Sequence, residues 1–148
     1  MSDESKGGGD RLPPFSEAAE RSVLGCILLD PVVVLNGLAE RRLEADWFYD
    51  LRHQLIYQAA RTLHDAQKPV DTISVQLWLK DGGHLDEVGG VAYLNELQDT
   101  TPSALNVGHY VEVLKEKFLL RRLLQICTHA AGRLLNGEGE AEALLLEL

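Results

Sequence analysis

The stretch from Asn106 to Asn136, NVGHYVEVLKEKFLLRRLLQICTHAAGRLLN, contains no proline and two glycines, and its apolar residues recur at helical spacing. One stripe runs Val107, Val111, Leu114, Phe118. A second runs Leu120, Leu124, Cys127, Ala131, Leu134, in steps of four, three, four and three. A third lies beside it: Leu119, Leu123, Ile126, Ala130. As one helix the stretch is about 45 Å long at a rise of about 1.5 Å per residue. Its front half has one apolar face and its back half two adjacent ones. A helix that apolar needs partners on more than one side. The front half is therefore assigned to a local core and the back half to assembly with other proteins.

The totals agree with a binding module. The chain has 148 residues, 45% of them hydrophobic, which suits one domain with a real core. Its formal net charge is −9, from 14 basic and 23 acidic residues. That balance argues against a dedicated nucleic-acid-binding surface, which must neutralise phosphates. Cys26 and Cys127 both sit in apolar helical patterns and read as two buried thiols in a reducing compartment. No apolar run approaches the ~18 residues of a membrane span, and the N-terminus is too polar for a signal peptide. The expected location is cytoplasmic.

Residues 1–12 begin MSDESKGGGDR and read as a disordered leader. Residues 13–105 read as a helical head. Pro13-Pro14 enforces an extended lead-in, Ser16 caps a first helix, and Glu17 and Glu20 suit its positive end. Gly25 inside that helix implies a close approach of another one. Asp30-Pro31 ends it and starts a short second helix carrying Val32 to Leu38, with Asp30 as cap. Asp46-Trp47-Phe48-Tyr49 reads as core-filling aromatics under a loop. Asp50 caps a third helix with Leu51, Leu55, Ile56, Ala59, Ala60 and Leu63 inward. Residues 71–82 fit a strand by alternation or a helix by Asp71 as cap and Gly82-Gly83 as stop. Gly89-Gly90 opens a helix from Val91 to Gln98, and Ser103 or Asn106 caps the long one. After Asn136-Gly137-Glu138-Gly139 one more helix begins, and the expectation is that residues 106–148 hold a long helix and the start of a hairpin whose second arm is cut short. With five or six helices in the head and no assured strand, the fold class is all-α.

Catalytic patterns are missing. There is no phosphate-binding loop and no G-x-G-x-x-G pattern. The five histidines are scattered, and His53 and His64, eleven apart on one helix, are too distant to share a metal. Ser22 and Ser74 lack a base partner. No catalytic, cofactor or metal residue is assigned. Lys115, Lys117, Arg121 and Arg122 form a basic group that reads as the solvated stem of the long helix, or as a docking point for an acidic partner.

Several segments, in unbroken order, resemble the N-terminal domain of bacterial DnaB-type replicative DNA helicases. They are Pro14 to Asp30 (PFSEAAERSVLGCILLD), Asp46 to Tyr49, His53 to Tyr57, Pro69 to Val75, Gly83 to Leu94, Thr101 to Asn106 and Tyr110 to Leu124. The resemblance spans about residues 13–136. It implies a helical head followed by a helical hairpin, and it settles residues 71–82 as helix. It further implies that hairpins pair as dimers, three of which form a collar on a hexameric ring. That collar receives primase, and loaders act on the ring. ATP and Mg would serve only a C-terminal ATPase domain not contained in these residues. Leu105 departs from the small residue more usual in the family. The reading is a non-catalytic collar and interaction domain without direct DNA or membrane binding. Phe118, Leu120, Leu124, Cys127, Ala131 and Leu134 are the expected hairpin or subunit contacts. The alternative, a small helical regulatory DNA-binding domain, needs a basic recognition helix that the sequence does not offer.

Overall fold

The computed structural model describes residues 12–147, so the expected leader lies outside the described residues except for exposed Leu12. Seven α-helices follow in order: α1 (Glu17–Leu29), α2 (Pro31–Glu40), α3 (Leu51–Asp65), α4 (Thr72–Asp81), α5 (Gly90–Asp99), α6 (Val107–Leu135) and α7 (Ala141–Glu147). A 3-10 turn, Ala45–Trp47, precedes α3, and the described residues contain no strand. Residues 72–81 are helical, held by a reciprocal cap. Asp71 accepts from the Ser74 N–H at 2.7 Å, and the Ser74 hydroxyl accepts from the Asp71 N–H at 2.9 Å. The serine without a base partner is a capping residue.

Helix α1 is the centre of the head. It packs against α2, α3, α5 and α6, and Val23, Leu24, Cys26 and Ile27 are all but fully buried. Gly25 has the role its position implied. A Cβ there would fall 2.6 Å from the Leu97 carbonyl oxygen and 2.8 Å from Thr101 Cβ. The front of α6 closes the same core through Val111 and Leu114. Phe48 and Tyr57 fill the space below, and the buried Tyr57 hydroxyl donates to the Leu43 carbonyl at 2.9 Å.

Four helices end alike. A six-residue N–H to carbonyl bond closes α2 (Leu43 to Leu38), α3 (Lys68 to Leu63), α4 (His84 to Leu79) and α6 (Glu138 to Arg133). The left-handed residue of each closure is Arg42, Gln67, Gly83 and Gly137 respectively.

Several inward assignments need correction. Leu51 is 70% exposed and Leu55 only partly buried, because α3 turns the line His53, Ile56, Tyr57, Ala60 towards the core. Elsewhere Val32, Ile73 and Leu77 face outward, while Leu35, Val75 and Leu79 are buried. Asp30 and Asn106 stand at helix starts without a side-chain capping bond, and Ser103 Oγ accepts from Leu105 N–H rather than capping α6.

The two thiols differ. Cys26 is completely buried, its Sγ 3.7 Å from the Ser103 carbonyl, and burial pushes its pKa up. Cys127 is exposed, which corrects the buried assignment: among the described residues nothing covers that face of the back of α6. A disulfide-exchange reagent should therefore titrate one thiol in native protein, and the second only in denaturant. A Cys127→Ser variant that still reacts at the native rate would reverse that assignment.

Candidate assembly surface

Beyond Arg121 the long helix leaves the head, and apolar residues on its outer side are exposed from Leu119 onward. Leu119 (46% exposed), Leu120 (37%), Leu123 (57%), Leu124 (50%), Ile126 (39%) and Leu134 (63%) together form a band of large apolar side chains in contact with water. Cys127 and Ala131 lie in the same band and are exposed, while Ala130 is half-buried. Helix α7 turns back along α6. Leu144 is buried against the turn, and Arg133 Nη1 bonds both carboxylate oxygens of Glu147, at 2.5 and 2.6 Å. This pairing covers part of one stripe and leaves the other open. Scattered exposed leucines are ordinary, but six large apolar side chains on adjacent stripes of one helix mark an interaction surface.

Phe118 is different from its five companions. It is half-buried and stacks on Trp47, with ring centroids 5.9 Å apart, so it belongs to the junction between head and hairpin. The basic group also divides. Lys115 and Arg122 are exposed and Lys117 is half-buried, yet Arg121 is buried. Its guanidinium donates to the carbonyls of Pro14 (2.9 Å), Asp46 (3.1 Å) and Trp47 (3.1 Å) and lies 5.7 Å from the Tyr49 ring centre. Desolvation lowers its pKa, offset in part by Glu20, Asp46 and Tyr49. Arg121 is neither a solvated stem nor free to dock an acidic partner. A signal was present: Val107, Val111, Leu114, Phe118 and Arg121 are spaced four, three, four and three apart, so the arginine lies on the inward stripe.

Behind this junction lies a polar cluster that sequence reasoning missed. His53 is fully buried, with Nδ1 2.7 Å from Glu20 Oε1 and Nε2 2.6 Å from the Tyr93 hydroxyl. Glu20, 1% exposed, also accepts the backbone N–H groups of Tyr49 (2.6 Å) and Asp50 (3.2 Å). Arg21 donates to the Tyr93 oxygen at 3.3 Å and to Glu96 at 2.5 Å. Arginine can only donate, so the Tyr93 oxygen accepts from Arg21, and an ionised carboxylate can only accept, so Nδ1–H of His53 donates to Glu20. A carboxylate, an imidazole and a hydroxyl in line could serve a nucleophile, but the Tyr93 oxygen already accepts Arg21 and its residue is 8% exposed. The arrangement is structural. Its signal was also present, since Glu20 stands one turn before Val23 and Leu24 on the buried face.

Among the described residues no group of three or more histidines, cysteines or carboxylates could hold a metal. His84 bonds Glu87 at 2.7 Å on the surface. Among the described residues no helix is long and apolar enough to cross a membrane.

Residues 12–116 match the family profile described as DnaB-like helicase N terminal domain. The chain belongs to this family. Relatives of the DnaB domain extend the likeness through the exposed band. The replicative DNA helicase DnaC of Bacillus subtilis is 41% identical over 138 residues, 93% of this chain and 30% of that protein. The replicative DNA helicase DnaB of Geobacillus stearothermophilus is 39% identical over the same span, again 93% and 30%. The chain thus spans less than a third of these relatives. The crystal structure of the N-terminal domain of DnaB helicase from Mycobacterium tuberculosis is similar with a TM-score of 0.84 and 36% identity, covering 92% of this chain and 98% of that one. A structure described as a DnaB-like replicative helicase and its interactions with primase gives a TM-score of 0.72 at 28% identity, covering 89% of this chain and 31% of that one. The all-α DnaB fold expected from the resemblance is the fold observed.

Proposed function

We propose that this domain is the collar and interaction module of a replicative DNA helicase, organising a hexamer by hairpin pairing and recruiting primase. The observation that carries the reading is the band from Leu119 to Leu134, apolar, helical and exposed on one side. The relatives named as replicative helicases, and the neighbour described with primase, support it. Leu120, Leu124, Cys127, Ala131 and Leu134 are the subunit contacts, with Phe118 anchoring the helix to the head. Lys115, Lys117 and Arg122 remain as docking cations for an acidic partner such as a loader, with Arg121 withdrawn from that set. ATP and Mg would serve a separate ATPase domain of a longer cytoplasmic protein. DNA is not a direct ligand of a surface with a net charge of −9. The small DNA-binding alternative is weakened further by the burial of Arg121.

Light scattering over a concentration series tests the reading. Wild type should exceed its monomer mass of 16.4 kDa as concentration rises. Leu124→Asp should stay at that mass, because a symmetric contact would bury two new carboxylates without partners. The expected weakening is more than about 100-fold in dimer dissociation constant, a little under 3 kcal/mol. Circular dichroism should show the helices unchanged. A variant that assembles like wild type would show the stripe assignment to be wrong, and a wild type that is monomeric throughout would remove the pairing.

A further inference from the structure

A second surface lies at the other end of α6, independent of the hairpin reading. Between α2 and the start of α6 runs a groove of about 670 Å³, whose apolar walls include Leu29, Val33 and Leu105. Leu29 is 38% exposed, Val33 67% and Leu105 91%. Gly37 is part of the same lining, in the interior of α2, and a Cβ built on it meets nothing within 4 Å. Glycine weakens a helix interior relative to alanine and is kept there when packing or function asks for it. Among the described residues no neighbour asks for it here. The missing side chain leaves the groove open. Gly25, by contrast, is demanded by its contacts.

The rim carries two carboxylates and one cation. Asp30 and Glu40 stand at the two ends of α2, and among the described residues neither carboxylate makes a hydrogen bond or ion pair. The cation in the lining, Arg41, is bound by Glu112 at 3.1 Å. Two copies meeting groove to groove would set these carboxylates against each other, which disfavours symmetric self-pairing. We infer that the α2–α6 groove receives a short amphipathic helix of another protein, with an apolar stripe at i, i+3, i+4, i+7 and basic residues on its flanks. The apolar stripe fills the space over Gly37, and the flanking lysines or arginines meet Asp30 and Glu40. The site is about 24 Å along the helix from Leu124, by sixteen residues at about 1.5 Å each, so a partner here leaves the hairpin free.

The probe is a fluorescein-labelled 16-residue helical peptide with four leucines at that spacing and lysine flanks. Controls are its glutamate-flanked isomer and a scrambled peptide of identical charge. Fluorescence anisotropy with the full 148-residue chain should show binding of the lysine peptide at least tenfold tighter than either control. Gly37→Leu, which fills the groove with a good helix former, should weaken it tenfold or more. Leu105→Glu, at a position with almost no contacts to lose, should weaken it less but measurably. Asp30→Asn with Glu40→Gln should cost several-fold and flatten the salt dependence. Equal binding of the scrambled peptide, or full affinity in both Gly37→Leu and Leu105→Glu, would overturn the inference. A fall in self-association mass in those two variants would make a second copy the occupant and overturn it equally. Failure of hairpin pairing in Leu124→Asp leaves all of these readouts intact, so the two readings fail separately.

Discussion

Gly25→Val should lower stability by about 3–5 kcal/mol, enough to leave the domain largely unfolded if it sits near the low end of the usual ~5–15 kcal/mol. The position looks harmless in sequence, since valine is apolar and lies in an apolar stretch. The obstacle is the backbone of α5. A Cβ at residue 25 would sit 2.6 Å from the Leu97 carbonyl oxygen and close upon the Thr101 hydroxyl, which itself donates to that carbonyl at 2.8 Å. The threonine can rotate away by giving up its bond, but the carbonyl is fixed by its helix. Relief requires α1 and α5 to separate, and that opens contacts around Val23, Leu24, Leu94 and Leu97, each at most 1% exposed. Gly25→Ala distinguishes this account from simple helix propensity. On propensity alone it should stabilise by about 1 kcal/mol, whereas the close approach makes it destabilising. Urea unfolding of both variants decides, and a stabilised Gly25→Ala would refute the close-contact explanation.

How far the fold was legible follows from what each signal measures. Helix existence was legible because period-3.6 patterns sum over many residues, and α6 with its two-faced back half is the clearest case. Helix ends were legible where glycine takes the left-handed position, as at Gly83 and Gly137. Arg42 and Gln67 occupy the same position without any such mark, so α2 and α3 end where composition is silent. Facing was less legible. In α3 the leucines at 51 and 55 suggested one inward line, but a histidine and a tyrosine define the true one. Polarity hid the rest of the site. Glu20, His53 and Arg121 fall on inward stripes by spacing, yet charged or titratable residues are normally assigned outside unless a partner is known. Their partners are 29 to 107 residues away in sequence, and three of them are backbone carbonyls, which no residue pattern records.

The segment from Asp46 to Asp50 explains why those buried charges are there. Glu20 accepts the N–H groups of Tyr49 and Asp50, while Arg121 donates to the carbonyls of Asp46 and Trp47. One irregular segment is thus held by an anion on α1 and a cation on α6, each bonded to backbone groups that no regular structure satisfies. The same segment supplies Trp47 to Phe118, so the angle at which the long helix leaves the head depends on it. Glu20→Ala should therefore be costly. It strands the two backbone donors and His53 Nδ1–H in a site 1% exposed. Each stranded donor costs about 1–3 kcal/mol, and since the three share one site the total should be about 3–5 kcal/mol. Glu20→Gln keeps an acceptor but sets its amide against another donor, and should lie between. The opposed charges also predict coupling. In a double-mutant cycle of Glu20→Ala with Arg121→Met, the pair should be non-additive by about 1–2 kcal/mol, because removing either charge loosens the segment that the other holds. Urea unfolding of the four proteins measures it. Additivity within about 0.3 kcal/mol would show that the two charges act separately, and a loss below about 1 kcal/mol for Glu20→Ala would show that water or rearrangement replaces the carboxylate.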